Sequence, residues 1–137
     1  MGQYIRCIIT DGNLTRDQLA RMLPQISRRY RLEGDLLLHD AEAKAVLEFN
    51  HPGDGIMEDD VELLKRYAQA KQDSAHLASM LEKATSMIAA QDITQQGDEK
   101  EAPRSVLDPI WKWLLANRQA LIVYEGGHFV DADGPHP

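Results

Sequence analysis

The sequence predicts an α+β fold: a two-layer sandwich in which helices cover one face of a mainly antiparallel sheet. Two observations carry this. Short apolar runs with a two-residue period alternate with longer segments of helical period. Short connections at residues 40–43 and 125–127 join neighbouring strand-like runs closely enough for hairpins. The element order β-α-β-β-α-(α)-α-β-β is also compatible with a ferredoxin-like arrangement in its first half, a likeness of order alone.

In residues 3–10, Ile5, Cys7 and Ile9 alternate with Tyr4, Arg6 and Ile8. This is the pattern of a strand with one buried face, and it places Cys7 in the core. After the turn Asp11-Gly12-Asn13, Thr15 and Gln18 form a capping box, and Leu14 with Leu19 a hydrophobic staple, so a helix starts here. Its apolar stripe is Leu19, Met22, Leu23 and Ile26. Pro24 removes a donor and predicts a kink or an early stop.

Residues 30–39, with a bulge or break at Gly34-Asp35, and residues 44–50 read as a hairpin. Residues 56–91 contain neither Pro nor Gly and predict one long or broken helix. Within it Leu63, Tyr67, Ala70, Ser74, Leu77, Leu81, Ala84 and Ile88 recur at spacings of four and three, a heptad-like seam. At 1.5 Å per residue a continuous helix of that length would span about 50 Å, far beyond a globule of this size, so it must break or pack on another chain. Leu63, Tyr67, Leu77, Leu81 and Ile88 are therefore the candidate oligomer interface.

Residues 94–104 are polar and predict a linker. Asp108-Pro109 supplies an N-cap and an N1 proline for a short helix to about residue 117. Its apolar residues Ile110, Trp111, Trp113, Leu114 and Leu115 spread over about 200° of the wheel, wider than one core-facing stripe. Trp111, Trp113 and Leu115 are thus candidates for binding a protein partner. Residues 120–124 and 128–131 form a second hairpin around Glu125-Gly126-Gly127. The expectation is one domain over residues 1–131 and a flexible tail at 132–137.

With 43% hydrophobic and 27% charged residues the chain is globular in composition and lacks any membrane-length apolar run. The first ten residues do not make a secretory signal, and a single cysteine forms no internal disulfide, so the expected compartment is the cytoplasm. The net charge of −7 argues against nucleic acid as the main ligand. Residues 1–34 nevertheless hold six arginines against Asp11, Asp17 and Glu33, a balance of +3 that leaves −10 for the remainder. Attraction between these segments within the fold is the preferred reading.

The loop His51-Pro-Gly-Asp-Gly enters a run of acids and looks like an anion or metal site. Glu58, Asp59, Asp60 and Glu62 outweigh the half-charge of a helix dipole, so phosphate is repelled, and no nucleotide fingerprint is present. A hard cation on Asp54, Glu58 and Asp59, with His51 as a base or ligand, is an alternative. The preferred reading is a well-made helix start, since acids there already complement the dipole. Further along, His128 and Asp131 fall on opposite faces of one strand. Asp133 and His136 fall in the tail, and His76 stands isolated, so no preorganised metal site is expected at the C-terminus. Arg28, Arg29 and Arg31 form a basic patch, read first as a solvated helix end and second as a nucleic-acid contact.

These readings converge on a noncatalytic protein-interaction module, self-associating as a dimer, with no cofactor and no membrane partner. A metal-binding domain or enzyme using residues 51–60 is the first alternative. A nucleic-acid-binding regulator acting through Arg28–Arg31 is the second.

Overall fold

Alternating strands and capped helices assemble, in the computed structural model, into one antiparallel sheet with helices on both faces. Residues 4–93 and 106–137 are described. The elements are β1 (Tyr4–Ile9), α1 (Arg16–Ile26), β2 (Tyr30–Glu33), β3 (Leu36–His39), β4 (Glu42–Asn50), α2 (Ile56–Ala68), α3 (Ser74–Glu82), β5 (Ser86–Asp92), α4 (Asp108–Asn117), β6 (Ala120–Tyr124), β7 (His128–Asp131) and β8 (Gly134–His136). The sheet order is β2-β3-β4-β5-β1-β6-β7-β8, and every neighbouring pair is antiparallel.

The α+β class with an antiparallel sheet is thus present, but the layering differs from the two-layer expectation. Ile5, Cys7 and Ile9 on one face of β1 pack with Leu19 and Leu23 of α1 and with Ile110, Trp111 and Leu114 of α4. On the opposite face Ile8 packs with Met57 and Leu64 of α2 and with Leu77 and Leu81 of α3. Because successive side chains of a strand point to opposite faces, these two clusters are separate layers around a central sheet. A ferredoxin-like first half would set β1 beside β4; here β5 lies between them.

The start of α1 follows its local code: Thr15 accepts from the Gln18 N–H, the Gln18 side chain accepts from the Thr15 N–H, and the helix ends two residues after Pro24. Gly34-Asp35 is a full hairpin turn between β2 and β3 rather than a bulge. Asp40 and Ala41 make the next two-residue turn, both at positive φ (54° and 67°), as a type I′ turn requires.

The predicted helix over 56–91 is divided into α2, α3 and the strand β5. Its heptad-like seam does not run along one helix face. Leu77, Leu81 and Ile88 are core residues at 0%, 1% and 0% exposure, Leu63 is half-buried and Tyr67 is exposed. β5 is the centre of the sheet, bonded on both edges to β4 and β1. That pairing overrides the helix-forming tendency of Met87, Ala89, Ala90 and Gln91.

The wide apolar face of α4 also turns inward. Trp111 is 2% exposed, while Trp113 and Leu115 pack partly buried against the same core. At the C-terminus, residues 134–136 are not a loose tail: they form β8 and pair with β7. Pro135 is tolerated there because β8 is an edge strand. The polar stretch 94–104 lies outside the described residues. No helix among the described residues is long and apolar enough to cross a membrane.

Candidate functional site

The loop singled out by the sequence folds as a helix start. Asp54 Oδ1 accepts from the N–H groups of Ile56 (3.0 Å) and Met57 (2.8 Å), and its Oδ2 accepts from the His51 N–H (3.0 Å). Glu58 turns back to accept from the Gly53 and Gly55 N–H groups. These backbone donors hold both carboxyls below their ordinary pKa values, chiefly the Met57 N–H for Asp54 and the Gly53 N–H for Glu58. Their oxygens are thus directed at the chain itself, and His51 and Asp59 remain exposed. The preferred reading of this segment is the one the structure displays.

The basic patch is likewise absorbed locally. Arg29, just before β2, lies 3.5 Å from Asp40 in the β3–β4 turn, and Arg31 lies 3.7 Å from Glu33 on β2, while Arg28 is exposed. Arg6 pairs with Asp60 at 3.4 Å and Arg16 with Asp35. Arginines of the basic segment therefore reach acids beyond residue 34, the internal attraction that the charge asymmetry implied.

A different set of side chains, from segments far apart in sequence, converges at the other end of the chain. Register decides it. Phe129 faces His136 and Asp131 faces Gly134 across β7 and β8, so His136 and Asp131 are diagonal neighbours on one face of the sheet. Phe129 belongs to the α2–α3 layer, which identifies that face. From α3, His76 comes down onto the same carboxylate.

His76 Nε2 is 3.1 Å from Asp131 Oδ2, and His136 Nε2 is 2.9 Å from Asp131 Oδ1. On the far side of its ring, His136 Nδ1 is 2.9 Å from Asp73 Oδ2, just before α3. Asp131 is 6% exposed and the His136 side chain 9%, whereas His76 is half open to solvent. Among the described residues, His76, Asp131 and His136 are the one group of this kind, with a ligand atom from each within 4.8 Å of the others.

The electrostatics follow from that packing. Burial pushes the Asp131 carboxyl up, but contacts with His136 and His76 and the Asp133 N–H outweigh it and leave it below its ordinary value. The contact with Asp131 raises His136; burial opposes this and Asp73 reinforces it. His136 Nε2 is buried and faces the Asp131 carboxylate at 2.9 Å.

Beside the cluster lies a cavity of about 300 Å³ at one end of the sheet. His76, Ser79, Met80 and Lys83 line one wall, at the spacing of a single face of α3. Arg118, Asp131 and Asp133 contribute to the other. Arg118 Nε is held by Asp11, at 3.1 and 3.3 Å to the two carboxylate oxygens.

The odd separation of His128 and Asp131 does place them on opposite faces, but the partners of Asp131 come from 55 residues upstream and from the neighbouring strand. No family model, curated protein or solved structure matches the chain.

Proposed function

We propose that the chain binds a first-row divalent transition metal through His76 Nε2, the Asp131 carboxylate and His136 Nε2. The observation that carries this reading is the convergence of His76 Nε2 and the buried His136 Nε2 on the two oxygens of the Asp131 carboxylate, with Asp73 behind the His136 ring. A carboxylate on the far nitrogen of a histidine fixes the tautomer and raises the basicity of the ligating nitrogen, the usual outer support of a metal-bound imidazole. At metal–ligand distances of 2.0–2.1 Å, ligand atoms in a tetrahedral site stand about 3.3 Å apart. The two His–Asp separations of 2.9 and 3.1 Å need a slight opening to reach this, and the two imidazole nitrogens lie within 4.8 Å of each other.

Two imidazoles and one carboxylate suit Zn²⁺, Fe²⁺, Co²⁺ or Ni²⁺ better than Mg²⁺ or Ca²⁺, which favour oxygen-only shells. Three protein ligands beside a cavity leave a coordination position open, as in a binding or catalytic site rather than a closed structural one. The sequence expectation of no cofactor is revised accordingly. Thermal unfolding with and without metal tests the reading. Zn²⁺ or Ni²⁺ should raise the midpoint saturably, Mg²⁺ and Ca²⁺ should not, and His136→Ala should abolish the shift. Equal midpoints in all conditions would remove the metal reading.

A second reading keeps the noncatalytic, self-associating interaction module in the cytoplasm, on a new surface. Leu36 and Val46, directly opposite each other on β3 and β4, are 40% and 38% exposed beside the edge strand β2. An open apolar pair next to an unpaired edge is where a second sheet adds. Val46→Glu should convert a dimer to a monomer in sedimentation equilibrium; a wild-type protein that is already monomeric at high concentration would exclude this face.

A further inference from the structure

We propose that the cavity between α3 and the end of the sheet takes a small oxyanion ligand, a carboxylate or a phosphonate-like group, that completes the metal's coordination and is held by Lys83. This rests on the metal reading above and adds the chemistry of what that metal meets.

The charges lining the cavity are His76, Lys83, Arg118, Asp131 and Asp133. Arg118 is neutralised by Asp11. Lys83 against Asp131 and Asp133 leaves these side chains at −1, which disfavours an anion. A divalent ion on His76, Asp131 and His136 turns the same lining to +1. Anion binding is therefore conditional on metal, and by reciprocity the anion tightens the metal.

Lys83 is the group that distinguishes this cavity from a bare metal face. It is exposed at the C-cap just past α3, seven residues from His76, lines the same cavity, and makes no ion pair among the described residues. An ammonium at one end and a metal with an open position at the other would bracket a ligand of small-molecule size, since about 300 Å³ is the lower range of such sites. Ser79, on the wall between them, adds a hydroxyl donor.

Visible absorption of the Co²⁺-loaded full chain tests this, with acetate and methylphosphonate as the two probes. The expected result is a saturable change in the Co²⁺ bands with at least one probe, and the probe that binds more tightly identifies the class. Lys83→Met should weaken that binding about tenfold, the loss of one charge-assisted contact, while changing Co²⁺ affinity less than about twofold. Lys83 is exposed, so the variant should fold.

If Co²⁺ binds and is lost in His76→Ala, yet neither probe perturbs its bands, the inference falls and the metal reading stands. An unchanged anion affinity in Lys83→Met also overturns it, because the anion then meets the metal alone. If Co²⁺ does not bind, both fall together.

Discussion

The His51–Asp60 loop and the His76–Asp131–His136 cluster contain the same kinds of side chain and have opposite fates. In the loop, carboxylates adjacent in sequence turn to their own backbone: Asp54 caps α2 and Glu58 ties down Gly53 and Gly55. In the cluster, residues far apart in sequence turn to one another. The difference lies in what donors are nearest. A helix start offers free N–H groups, and Asp54 and Glu58, placed to reach them and the loop before them, are taken up. Asp131 sits at the end of β7, where its one local donor is the Asp133 N–H, leaving it to be completed by two imidazoles.

The largest expected effect that separates the two regions is on metal affinity. His76→Ala, Asp131→Ala or His136→Ala should each lose Zn²⁺ binding by more than the roughly 10- to 100-fold that an outer partner costs. Asp54→Ala should leave it unchanged and only lower the thermal midpoint. Calorimetric titration checks both. Asp73→Asn, which keeps the shape of the residue behind His136, should weaken the metal by about 10- to 100-fold. Full retention of affinity there would show that Asp73 plays no part.

A change of similar clarity tests the division of residues 56–91. Leu77→Ala should cost about 2–5 kcal/mol of stability in denaturant unfolding, as a buried leucine does, with no change of oligomeric mass. A change of mass at intact stability would return Leu77 to an interface.

Smaller and distinct effects come from pH. Asp54 and Glu58 have depressed pKa values, so their support of α2 is complete above the unfolded carboxyl range and is lost as pH falls through their folded values. His136 is raised. Its support of the metal-free fold is complete below the ordinary histidine value and is lost as pH rises through the folded value. Metal must displace that proton, so Zn²⁺ affinity should climb with pH across the same window and level off above it. Carboxylate and histidine windows can be separated by following α2 amide exchange and metal affinity in one pH series.

Elements whose cause is local were readable from the chain. The Thr15–Gln18 capping box and the hairpin around Gly126-Gly127 occur as their residues predict, and a helix does start at Asp108-Pro109, with Leu107 rather than Asp108 at its N-cap. Elements whose cause is pairing were not. Ser86–Asp92 has the composition of a helix and becomes a strand because β1 and β4 both bond to it. Gly134–His136 looked loose because three residues with a proline carry no strand pattern, yet β7 supplies the partner. The metal-competent cluster rests on both of these pairings. With residues 56–91 as one helix and 132–137 as a tail, His76 and His136 had no common neighbour. The available signal was the density of His and Asp in residues 128–136, next to a histidine in the first turn of a short helix.

Calorimetric titration of Zn²⁺ into the wild type, Asp54→Ala and His136→Ala proteins bears most directly on where chemistry resides in this chain. The predicted result is one site per chain in the wild type and in Asp54→Ala, and none in His136→Ala. A site lost in Asp54→Ala but kept in His136→Ala, or no site in any of the three, would contradict it.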